Sequence, residues 1–158
     1  MKKVRGFSLI ELVVVAVISG VLMTGGIAAY RSIGNRQQVK QAGISFQTNL
    51  RLFQGKALAG EKPIDCTAAN KLSYYKVEYV LENKYSVQPI CAGKTPTAVS
   101  YDLDEGISFN LPWTEIKFYN QESHIEGGQT IQLVKTGTIA PYYEVTIDNS
   151  GVISGEMH

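Results

Sequence analysis

The 158-residue chain predicts an α+β fold, with a long N-terminal helix packed on a mainly antiparallel β-sheet head. Three observations predict it. From Phe7 to Tyr30 the sequence is almost wholly apolar, and Glu11 is its one charged side chain. From Val39 to Ala57 apolar residues recur every three or four positions, the mark of a helix with one buried stripe. From Lys71 onward the period drops to two and turn residues follow at short intervals. A helix followed by a run of strands is the order of a domain whose amphipathic helix lies across a sheet. Four segments result: a basic leader at 1–6, an apolar helix at 7–30, an amphipathic helix at 31–60 and a β-rich head at 61–158.

The apolar segment of twenty-four residues would form a helix about 36 Å long, enough to cross a hydrocarbon core of about 30 Å. Lys2, Lys3 and Arg5 precede it, so a crossing helix would keep its N-terminus in the cytoplasm and place the head outside. Two simpler accounts exist: a secretory signal cleaved near Gly25, Gly26, Ala28 and Ala29, and a plain single-pass anchor. Neither explains Glu11. An ionised carboxylate inside a membrane segment costs of order a few kcal/mol unless it is interfacial or paired, so it is by default a functional residue in need of a partner.

The string KKVRG followed by FSLIELVVV resembles the class III leader of type IV pilins and type II secretion pseudopilins. The shared pattern is a short basic leader, a glycine, Phe, a small polar residue, two apolar residues and Glu. The resemblance implies that a membrane prepilin peptidase cuts between Gly6 and Phe7 and that a methylase modifies the new amine of Phe7. It implies that Glu11, fifth in the trimmed chain, pairs with the N-terminal amine of a neighbouring subunit. Two opposite charges buried together cost far less than either alone. The implied partners are sister pilin subunits, the peptidase and methylase, an inner-membrane assembly platform and the lipid bilayer. The implied location is a single pass through the inner (cytoplasmic) membrane, then a cell-surface or periplasmic filament. Many major pilins carry a proline near the position of Ala28, so its absence leans towards a minor subunit or a pseudopilin.

Glycines at 20, 25, 26, 34, 43 and 55 each weaken the helix by about 1 kcal/mol relative to alanine. In a bilayer they also let sister helices approach closely, and Thr24, Gly25 and Gly26 mark where local melting within a filament is expected. If the helix continues to about Ala59 it is roughly 80 Å long, and its second half needs a sheet to cover Phe46, Leu50 and Phe53.

In the head, Val77, Tyr79 and Leu81 alternate with Lys76 and Glu78, and Glu82-Asn83-Lys84 turns the chain into Tyr85–Val87. Further strands are predicted at Val99–Leu103, Ile107–Leu111, Ile116–Tyr119, Thr130–Val134 and Tyr142–Ile147. A closing hairpin turns at Asp148–Gly151 into Val152-Ile153. This order is similar to that of the H-type pseudopilins and related minor pilins. Cys66 and Cys91 flank the first hairpin. In an exported head a disulfide between them closes a loop worth roughly 3–4 kcal/mol in the chain-entropy model.

Residues 31–60 hold five cations and no acid, whereas seven lysines face thirteen acids from Glu61 onward. An acidic head is a poor surface for a polyanion, which disfavours nucleic acid as a partner. Asp102, Asp104 and Glu105 beside Gly106 read as a solvated turn, and His124 as a loop residue. No Ser–His–Asp set, P-loop or nucleotide-binding glycine pattern is present, and two cysteines without a nearby histidine lack metal-ligand spacing. The chain therefore reads as a structural subunit with no catalytic, cofactor or metal site. Tyr74, Tyr75, Tyr101, Tyr119, Tyr142 and Tyr143 read mostly as sheet residues, and Trp113 after Pro112 as a subunit contact. The alternatives are a membrane-tethered binding module that never polymerises and a minor pilin of DNA uptake.

Overall fold

The computed structural model describes residues 8–61, 63, 66 and 70–158, and of residues 22–29 and 31 the backbone only. Gly6 and Phe7 lie outside the described residues. The chain divides into two units, one ending at Asn35 and one beginning at Arg36. Helix α1, Leu9–Leu58, contributes to both.

In the first unit α1 opens after Ser8, whose carbonyl accepts from the amides of Glu11 (3.1 Å) and Leu12 (3.3 Å). In the second unit the helix ends in a Schellman turn. Gly60, at φ 65°, donates to Ala57 O (3.0 Å), and Glu61 donates to Lys56 O (2.9 Å). Lys56 in the last turn pairs with Glu61 at 3.1 Å.

Nine strands are present among the described residues: β1 Leu72–Leu81, β2 Lys84–Cys91, β3 Val99–Asp102, β4 Ile107–Phe109, β5 Ile116–Tyr119, β6 Ile125–Glu126, β7 Gln129–Lys135, β8 Tyr142–Ile147 and β9 Ile153–Met157. They form two sheets, ordered β3-β2-β1-β5-β6 and β4-β7-β8-β9. All strand pairs are antiparallel. The first hairpin pairs Val77 with Val87 and Tyr79 with Tyr85, and the last pairs Ile147 with Ile153. Strand β4 stops at Phe109, short of the expected Leu111, which directly precedes Pro112 and is exposed. The short β6 has no strong pattern in sequence and exists through its pairing with β5.

Both sheets and the helix share one core. Val39, Ala42, Phe46, Leu50, Phe53 and Ala57 are all buried, as the spacing predicts. Phe46 meets Tyr85 at 5.1 Å and Phe109 at 5.3 Å between ring centroids, both edge to face, so one helical side chain joins the two sheets. Trp113, read from the sequence as a subunit contact, is half-buried and packs on this core, 5.6 Å from Phe109, 6.1 Å from Phe46 and 6.2 Å from Tyr79. The chain after β4 folds its indole over Phe46, where burial of so large an apolar ring is worth more than exposure.

One polar flank of the helix binds the last hairpin. The Gln47 amide is satisfied when its oxygen accepts from Arg51 Nη2 (3.0 Å) and the Gly155 amide (3.1 Å) while its nitrogen donates to Tyr143 Oη (3.1 Å). Arg51 Nη2 also donates to Ile153 O (2.6 Å), and Gln54 donates to Gly151 O (2.7 Å). The Tyr143 ring lies against Gly43 of α1 and Gly155 of β9, and a β-carbon at either glycine would collide with it.

Candidate functional site

The first residues described at the N-terminus, Ser8-Leu9-Ile10-Glu11, combine a helix start with an acid in the first turn. A carboxylate there is favoured by the helix dipole and the unpaired amides, by about 0.3–1 kcal/mol at an exposed site. The S-x-x-E spacing is a recognisable helix-start pattern in the sequence, and it gives Glu11 a local role that charge and hydropathy alone do not suggest. The Glu11 side chain is exposed.

Around it the helix is apolar on every side. Leu9, Ile10, Leu12, Val13, Val14, Val15, Val17, Ile18 and Val21 are exposed, from 84% at Leu9 to 50% at Val14. A helix apolar all round is ordinarily enclosed by protein or lipid. This unit does not cover itself, so its surface suits an apolar environment supplied from outside the head. Among the described residues no helix is long and apolar enough to cross a membrane. The expected span of 7–30 includes Phe7, outside the described residues, and 22–29, whose side chains are not described.

In the head, Cys66 and Cys91 form a disulfide with Cα atoms 6.0 Å apart. It ties the segment before β1 to the end of β2. Among the described residues no group of three or more His, Cys, Asp or Glu is placed to hold a metal ion. Asp102 pairs with Lys84 at 3.2 Å, and Asp104 accepts the Ile107 amide through its carbonyl (3.0 Å) in the β3–β4 turn, where Gly106 has φ 77°. His124 stacks on Tyr119, with centroids 6.3 Å apart.

A charged aromatic cluster on the outer side of β1, β5 and β6 was not legible in the sequence. Lys117 Nζ sits 2.7 Å from Glu126 and 3.2 Å from Glu115, and Tyr119 Oη donates to Glu126 (2.6 Å). The hydrogen bonds from Lys117 and Tyr119 hold the Glu126 carboxyl below its ordinary range, and the same bond to Glu126 raises the Tyr119 phenol. These residues meet only because β5 and β6 pair Lys117 with Glu126. The cluster is internally satisfied, which suits a solvated sheet face.

Residues 1–27 match a family described as the prokaryotic N-terminal methylation motif. No curated protein and no solved structure matches the chain. The matched stretch holds the basic leader, Gly6, Phe7 and Glu11 and ends within α1, well before the head. The motif supports a class III prepilin-like protein, of type IV pilin or pseudopilin kind.

Proposed function

We propose that the chain is a pilin-like structural subunit. A prepilin peptidase cuts it between Gly6 and Phe7, a methylase modifies Phe7, and the apolar helix then holds it in the cytoplasmic membrane with the head outside. From there it assembles with sister copies into a type IV pilus or type II secretion pseudopilus filament, as a minor subunit. The observation that carries this reading is the N-terminal methylation motif, continuous with a helix whose exposed surface is apolar on every side and carries one acid, Glu11. The Cys66–Cys91 disulfide supports an oxidising location for the head.

The mass of the N-terminal peptide, taken from native membranes or sheared filaments, tests the processing step. A chain that begins at methylated Phe7 supports the reading, and one that begins at Met1 overturns it. A second reading, a tether that never polymerises, is favoured by the place of Glu11 in the first helical turn, where the helix alone accommodates it. Glu11→Ala separates the two. A tether stays membrane-bound and functional, whereas a filament subunit loses assembly by roughly tenfold or more, because the neighbouring amine is left buried and unpaired.

A further inference from the structure

The outward face of α1 in the head unit is exposed at Arg36, Lys40, Ile44, Leu52 and Leu58, and no described strand lies over it. Arg36 and Lys40 have no ion pair among the described residues, and no acid occurs anywhere in residues 31–60. By helical spacing they lie on the same flank as Gln47, Arg51 and Gln54, which bind the last hairpin. On the other flank Ala42, Ser45 and Asn49 line a small cavity together with Asp102, Leu103 and Asp104. The β3–β4 turn therefore borders that flank. Asp104 and Glu105 in the turn, and Glu82 beside it, are exposed and have no ion pair among the described residues.

One body thus presents, on one side of its helix, two cations and, on the other, three acids that form no ion pair among the described residues. Opposite charge on opposite flanks lets identical copies join side by side in one sense. Such a contact is heterologous and repeats until it closes into a ring or runs on as a helix. We propose that the Arg36–Lys40–Ile44 face of one copy docks on the Glu82, Asp104 and Glu105 turn of the next, as a head-to-head contact additional to that of the apolar helices. This rests on the subunit reading above and names the partner surface within it. Complementary potentials of this kind fix register and raise the association rate more than they add affinity, and they weaken with salt.

The test uses the full chain in detergent, as an equal mixture of unlabelled and ¹⁵N-labelled copies, treated with a carbodiimide that joins lysine to carboxylate without a spacer. A mixed-isotope peptide linking Lys40 to Asp104 or Glu105 is expected. The pair Arg36→Glu with Lys40→Glu should lower cross-linked oligomer by about tenfold. Mixing it with a copy bearing Asp104→Lys and Glu105→Lys should restore it, which also shows that both variants fold.

Wild-type assembly that needs Glu11 but ignores the charge reversals overturns this contact and leaves the subunit reading standing. Loss without rescue, accompanied by weaker binding of the reversed variant to phosphatidylglycerol vesicles, overturns it in favour of a lipid surface. A chain that begins at Met1 and forms no oligomer removes both readings.

Discussion

Tyr143 lies between two glycines, Gly43 and Gly155, and its hydroxyl meets the Gln47 amide. Gly43→Ala should therefore destabilise the head by about 1–3 kcal/mol, since the added methyl must displace a ring packed in the core. Because Gly43 is helical, propensity alone predicts the opposite sign, so a thermal melt decides between packing and propensity. Tyr143→Phe keeps the ring and removes one hydrogen bond, at a cost of about 1 kcal/mol. Tyr85 offers a pH test. Burial pushes its phenol from the ordinary 10.0 up to about 12, although the bond from Asn49 Nδ2 (2.9 Å) pulls the other way. The unfolded chain loses this proton first, so the contribution of Tyr85 to stability is whole below about pH 10 and falls as pH rises to about 12. Melts across that range should show the fall, and Tyr85→Phe should flatten it. Glu11 was legible in the sequence because its oddity is local, one acid in an apolar run. The contacts of Tyr143 with Gly43 and Gln47 were not, because they join residues about a hundred positions apart.

The end of α1 follows from a single residue. Gly60 adopts φ 65° to close the Schellman turn, and Gly60→Ala should cost about 1 kcal/mol, read as a lowered melting temperature. The Cys66–Cys91 link spans 25 positions, so a Cys66→Ser, Cys91→Ser chain should lose roughly 3–4 kcal/mol, because its unfolded ensemble is no longer held in a closed loop. Melts of the parent with and without reductant should reproduce that difference. The elements themselves were largely readable. The helical stripe from Val39 to Ala57, the hairpin about Glu82-Asn83 and strand β5 all follow from spacing and turn chemistry. The division into two sheets was not readable, because β1 takes β5 as its neighbour and β4 takes β7, pairings that no local pattern encodes. For the candidate site the same split holds. The basic leader and Glu11 are written in one short stretch, whereas the charged flanks of the head exist only once the β3–β4 turn folds beside α1.

The core draws every helical member from Val39 or later, and the unit that begins at Arg36 holds all of the sheet. A chain lacking residues 1–35 should therefore fold, with the sheet content of the parent by circular dichroism and a melting temperature within a few degrees of it. Gel filtration without detergent should show it free of the aggregation that the exposed apolar helix imposes on the full chain. The seam between α1 and the last hairpin has a consequence in time. Gln47 binds Gly155 and Tyr143, Arg51 binds Ile153 and Gln54 binds Gly151, partners separated from them by about a hundred residues. The helix leaves the ribosome early and its partner strand almost last, so this seam cannot close until synthesis is all but complete. A product cut short before β9 lacks the strand that Arg51 and Gly155 join to the helix, and should leave that flank of α1 open to proteases.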